Sequence, residues 1–157
     1  MPSEAKQRRT LIWLVGLLFL ILISLHLYAA KAMDSLPAPF AIEIDGSPIS
    51  KPASDSQDQT HASTGAEPAV FELKNKRLQC DGHVLARALA EDRSFAPKKV
   101  WWFKANTAKP IHDVVANKDG DSYQLQFSGA GLMAESGNVY ADIMGVNGAK
   151  VVLKMQS

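Results

Sequence analysis

The chain is 157 residues long, 46% hydrophobic and 21% charged, with a formal net charge of +1 and a single cysteine. So small a charge argues against a nucleic-acid binder that relies on counterion release. A lone thiol excludes an intrachain disulfide and a thiolate metal cluster, and the length leaves room for one small domain plus a linker.

Residues 1–10 are expected to form a short cytoplasmic N-terminus. The run from Leu11 to Ala30, LIWLVGLLFLILISLHLYAA, carries no formal charge. A helix crossing a hydrocarbon core about 30 Å thick needs roughly 20 apolar residues, and a backbone in lipid satisfies its amides only by being helical. Lys6, Arg8 and Arg9 precede the run against a single Glu4, while only Lys31 follows it at once. The positive-inside rule then sends the C-terminal part outward. Trp13 and Tyr28 suit the two interfaces, and Ser24 and His26 are tolerable near the exit. The prediction is a single-pass membrane protein with a retained signal-anchor helix. The alternative is secretion after cleavage near Ala32, because Ala30-Lys31-Ala32 has the small-x-small form of a processing site. An apolar run of this length exceeds the roughly 7–15 residues of a signal-peptide core, which favours retention.

Residues 31–68 read as a flexible Ser/Pro/Asp-rich linker. The prolines at 37 and 39 extend the chain. From Ser47 to Pro68 the composition is too polar to offset the entropy of ordering. Within it, Phe40 to Gly46 alternates like a short strand ending in an Asp-Gly turn, which either packs back on the domain as an extra edge strand or lies on the membrane surface.

Residues 69–157 read as an extracytoplasmic domain of short strands parted by Gly, Asn and Asp turns. Asp81-Gly82, between Leu78-Cys80 and His83-Leu85, is a strong hairpin signal because that turn needs φ > 0 at both central positions. Asn117 to Asp121 is a second hairpin turn. Tyr123, Leu125 and Phe127 share one face of a half-buried strand. Ala86 to Asp92 reads as a turn or two of helix, and Cys80 as a small buried strand residue. An intermolecular disulfide or a reactive thiol are the alternatives for that cysteine. The fold class is mostly β: an N-terminal single transmembrane helix, a disordered stalk and a small antiparallel β-barrel or β-sandwich domain.

Two clusters carry chemistry. Val100-Trp101-Trp102-Phe103 lies between Lys99 and Lys104. Alternation puts Val100 and Trp102 on one face and Trp101 and Phe103 on the other. One pair belongs in the core. The other is either covered by a second layer or exposed as a platform for a protein partner or a sugar ring. The second cluster is Glu91-Asp92-Arg93, where two carboxylates beside an arginine suggest an acid/base pair. Adjacent carboxylates diverge, however, so a charged loop ending at Pro97 fits better. The histidines have no metal-ligand spacing, and the loop at Asn117 lacks the ligands of a calcium site, so no metal or cofactor is expected.

The expected function is a non-catalytic interaction module tethered outside the cytoplasm, docking onto an envelope or surface partner and not binding nucleic acid. A carbohydrate-binding module using the Trp101–Phe103 strand is the first alternative. A small hydrolase centred on Glu91 and Asp92 is the least favoured.

Overall fold

The computed structural model describes residues 4–29, 31–53 and 57–157. Residues 1–3, Ala30 of the predicted cleavage motif and Ser54-Asp55-Ser56 of the predicted linker lie outside the described residues, as do the side chains of His26 and Tyr28. The chain divides into two compact units, one ending at Lys31 and one beginning at Ala32.

The first unit is a single helix, α1 (Glu4–Ala29). At 1.5 Å per residue it is about 39 Å long. Its Glu4–Ser24 portion has a mean hydropathy of 1.6 and is not buried anywhere. Such a helix is long and apolar enough to span a membrane or to act as a signal sequence.

The second unit is built from antiparallel strands. They are β1 (Phe40–Ile44), β2 (Ser47–Pro48), β3 (Gln59–His61), β4 (Glu72–Lys74), β5 (Arg77–Cys80) and β6 (His83–Ala86) in the first half. The second half holds β7 (Lys98–Lys99), β8 (Trp101–Lys104), β9 (Val114–Asp119), β10 (Ser122–Phe127), β11 (Gly131–Glu135), β12 (Asn138–Asp142) and β13 (Val151–Met155). Among the described residues they form four open sheets, ordered β13-β1-β2, β10-β9, β11-β12-β7 and β3-β8-β6-β5-β4. None closes into a barrel, so of the two expected architectures the layered, sandwich-like one describes the domain.

The alternating apolar residues predict their own destination. Phe40, Ile42, Ile44, Phe71, Leu73, Leu78, Leu85 and Phe127 are all fully buried in one core, each contributing about 1.5–3 kcal/mol through lost water contact. Asp81 (φ 46°) and Gly82 (φ 73°) make the expected hairpin turn between β5 and β6. Tyr123, Leu125 and Phe127 face the core together, as the alternation requires.

Four expectations differ from what is observed. The stretch 31–68 is not a bare linker, because it supplies β1, β2 and β3 and buries Phe40, Ile42, Ile44, Ile49 and Ala62. β1 is no edge strand either, since it lies between β13 and β2 with Ile42 opposite Leu153. Backbone bonds bring the polar segment in: Ile49 donates to Ile42 O (2.9 Å), and Ala62 to Val100 O (3.0 Å). Composition does not encode such pairing. Ala86 to Asp92 is not helical but leaves β6 into an irregular loop. The predicted turn at Asn117 starts later, because β9 runs on to Asp119 and the chain reverses at Gly120.

Candidate functional site

β6 ends at Ala86 and β7 begins at Lys98. The residues between them form a loop with a buried cation at each end. Arg87 and Lys98 are both buried, whereas Leu89, Ala90 and every residue from Asp92 to Pro97 are exposed. Pro97 fixes the exit, because its ring sets φ and biases Ala96 toward extended backbone.

Arg87 closes the entrance. It grips Glu91 through two bonds, Nε to Oε2 at 3.2 Å and Nη2 to Oε1 at 2.6 Å. Its Nη1 donates to the carbonyls of Phe127 (2.8 Å) and Ser128 (3.3 Å), tying the loop to the turn after β10. A forked guanidinium suits this arrangement, since it can address a carboxylate and carbonyls in one plane.

Lys98 fills the inside of the loop. Its Nζ donates to the backbone carbonyl of Asp92 at 3.0 Å and to that of Ser94 at 2.8 Å, the residues on either side of Arg93. It also reaches Asp92 Oδ1 at 2.6 Å. The same Oδ1 accepts from the Ser94 amide (2.9 Å) and from the Ser94 hydroxyl, closing a turn of the Asx kind. Hydrogen bonds from Lys98 first, then from Ser94, hold the Asp92 carboxyl well below its ordinary range. Arg93 is thus an exposed cation at the apex of a loop bonded internally on both sides.

The other predicted residues fall elsewhere. Trp102 and Val100 face the main core as alternation requires, with Trp102 stacked on Phe71 at 5.6 Å. On the opposite face Phe103 is fully buried with Val84 and Ala86. Trp101 is half-buried, with Lys99 Nζ 5.5 Å from its ring centre and His61 at 5.4 Å. Of the two arrangements open to that face, Phe103 takes the covered one and Trp101 lies at its margin. The strand itself is flanked by β3, from the supposed linker, on one side and by β6 on the other. Lys104 pairs loosely with Asp58 at 3.6 Å. The fixed loop and the tryptophan strand share a shallow groove of about 250 Å³, in which Glu91, Asp92 and Lys98 lie beside Trp101 and Tyr140.

Glu91 and Asp92 do not act on a common point, since one is held by Arg87 at the loop's entrance and the other by Lys98 beneath its apex. Glu91 comes within 3.9 Å of His112 Nε2. Both of its oxygens accept from Arg87, which makes it first of all the partner of that buried cation. Among the described residues no group of three or more His, Cys, Asp or Glu side chains is placed to hold a metal ion. Sequence reasoning missed Arg87 and Lys98. The available signals were the spacing of Arg87 and Glu91 and the Asp-x-Ser pattern at 92–94.

A family model described as peptidase inhibitor I66 matches residues 67–155, over half of the chain. The match begins just before β4, so it covers the fixed loop and the strands that lead into and out of it. No curated protein and no solved structure gives a significant match.

Proposed function

The chain belongs to the peptidase inhibitor I66 family, and from that premise we propose that it blocks a peptidase with the loop from Leu89 to Pro97, Arg93 entering the enzyme's specificity pocket. The observation that carries this reading is the placement of Lys98, whose ammonium group donates to the carbonyls on both sides of Arg93. A flexible substrate segment loses conformational entropy when an enzyme orders it, about 1–2 kcal/mol per residue for the backbone. A loop already held in its bound form avoids much of that loss and binds more tightly. An arginine on such a loop complements a pocket floored by a carboxylate, the arrangement that gives trypsin its preference. The partner is accordingly a serine peptidase that cleaves after basic residues.

The same premise favours a non-catalytic role over the hydrolase alternative, and a protein partner over a glycan. Helix α1 supports delivery of the inhibitor to the outer side of a membrane, either anchored or released. Lys6, Arg8 and Arg9 before the apolar run are the reason for that orientation. Protease accessibility in intact cells and the intact mass of the mature chain test it.

The loop is tested with the full chain in detergent, titrated against trypsin. The wild type should inhibit, Arg93→Lys should keep most of the effect, and Arg93→Ala should lose about 100-fold or more, as expected for a buried charged anchor. Equal inhibition by Arg93→Ala would show that another surface does the work.

A further inference from the structure

A second exposed surface is the loop from Ile143 to Lys150, between β12 and β13. It is fixed much as the first loop is. The Asp142 carboxylate accepts from the Asn147 amide at 2.8 Å, Gly145 donates to the Asp142 carbonyl at 3.1 Å, and the Lys150 amide donates to the Asp45 carboxylate at 2.9 Å. A loop tied this firmly nevertheless holds Val146 81% and Met144 55% exposed. The Leu89–Pro97 loop does the same with Phe95, 77% exposed, and Leu89, 54%. Among the described residues of the second unit, these four are the most exposed large apolar side chains.

The strand register puts the two loops at one end of the domain. β12 pairs antiparallel with β7, Ala141 opposite Lys98 and Tyr140 opposite Lys99. The first loop thus ends at Lys98 directly opposite Ala141, two residues before the second loop begins. Directly opposite residues on paired strands lie about 5 Å apart. Exposed apolar side chains on two internally bonded loops that spring from paired strands mark a protein-binding surface more readily than a solvated face.

We infer that Met144 and Val146 form a second contact ridge that seats on the same peptidase, beside the pocket that takes Arg93. This rests on the inhibitory reading of the first loop and deepens it: the partner carries an apolar shelf next to an acidic specificity pocket. A single loop covers little of the roughly 800 Å² that each partner buries in a stable complex. The second loop enlarges the contact without adding flexible chain, so its effect falls mainly on dissociation.

The test uses the full chain in detergent with trypsin as the probe. It compares wild type, Arg93→Ala, the pair Met144→Ser with Val146→Ser, and Val70→Ser as an exposed apolar control outside both loops. Val146→Gln alone replaces the pair if the double variant melts early. The pair should raise Kd by tenfold or more, mostly through a faster off-rate, while Val70→Ser leaves it unchanged. Inhibition by wild type that the pair does not weaken would overturn the ridge and leave the Arg93 loop standing. So would a pair that keeps its grip on trypsin but loses binding to anionic phospholipid vesicles, which would make a bilayer the occupant. A wild type that leaves trypsin untouched would remove the Arg93 reading, and the ridge with it.

Discussion

The Lys98 ammonium nitrogen lies 2.6 Å from the Asp92 carboxylate, with the lysine side chain 6% exposed and the aspartate 75%. This asymmetry separates the pair from a surface salt bridge, which contributes little. The lysine is a buried charge whose donors are taken up by the loop's own oxygens, and the loop is shaped around it. Replacing it by the near-isosteric Lys98→Met removes the donors to the Asp92 and Ser94 carbonyls without opening a large cavity. The loop should then sample many conformations, and trypsin inhibition should weaken by about 30- to 150-fold, or roughly 2–3 kcal/mol of lost preorganisation. Circular dichroism should stay near that of the wild type. Inhibition that survives intact would mean the loop does not depend on its internal cation.

The same pair sets the response to acid. The Asp92 carboxyl is held far below its ordinary value of 3.8, chiefly by the Lys98 hydrogen bond and then by Ser94. A carboxyl lowered on folding adds stability that is present above its unfolded pKa and is lost only as pH falls through the folded one. The loop should therefore keep its geometry between pH 7 and pH 3.8, where an unpartnered aspartate would be half protonated. A carbon-detected NMR titration of Asp92 should show it still ionised at pH 3.8. A midpoint near the ordinary value would sink the account of the loop. Asp92→Asn should weaken inhibition at neutral pH, because a neutral amide is a poorer acceptor for Lys98.

Arg87 and Glu91 form the more buried pair, also at 2.6 Å but with side chains only 10% and 15% exposed. Removing the arginine leaves a nearly buried carboxylate, and the carbonyls of Phe127 and Ser128 lose a donor. Arg87→Met should destabilise the domain by about 3–5 kcal/mol. Glu91→Gln keeps one acceptor for Arg87 but loses the charge and turns its amide NH2 toward the other arginine donor, and should cost about 1–3 kcal/mol. Urea unfolding of both variants followed by tryptophan fluorescence checks the ordering. Equal, small effects would mean that the entrance of the loop is not held by this pair.

The sequence carried the strands and the apolar helix more clearly than it carried the site. Period-two alternation exposed β10 and the faces of β8, and Asp81-Gly82 announced its turn, because each depends on neighbouring residues alone. β2 and β3 were hidden in polar sequence, since they join the fold through backbone pairing with distant partners. Phe40, Ile42 and Ile44 were legible as a strand, but not as the middle of a sheet closed by residues Val151 to Met155. Glu91, Asp92 and Arg93 were singled out as a charged loop, and Pro97 as its end. The spacing of Arg87 and Glu91 and the Asp-x-Ser pattern hinted at local bonds, but not that the two cations, one at each end, are buried and tie the loop to itself and to the turn after β10.

Cys80 gives a chemical check on packing. It is buried at the end of β5, and burial, with the neighbouring Asp81 charge second, pushes its thiol up to about 11. At pH 8 roughly 0.1% of it is thiolate, far below an exposed cysteine. Alkylation by iodoacetamide at pH 8 should be at least 100-fold slower in the folded protein than in denaturant. A native-state rate like that of a free thiol would contradict the packing of β5 against the core.

Trp101 and Trp102 are adjacent in sequence yet should respond very differently to the same truncation. Trp102 is buried and lies parallel to Phe71, with an interplanar angle of 1°. Trp102→Ala should remove about 3–5 kcal/mol of stability through lost contact and a residual cavity. Trp101 sits at the boundary, under Lys99 and against His61, which itself meets Tyr140 edge-on at 5.0 Å. Solvent can refill part of the space it leaves, so Trp101→Ala should cost less than half as much. Because Trp101 also lines the groove behind the Leu89–Pro97 loop, its truncation should weaken trypsin inhibition by a few-fold in molecules that remain folded. Comparing unfolding midpoints with inhibition at a temperature where both variants are folded separates the two effects. Equal destabilisation by both substitutions would mean that Trp101 is as much a part of the core as its neighbour.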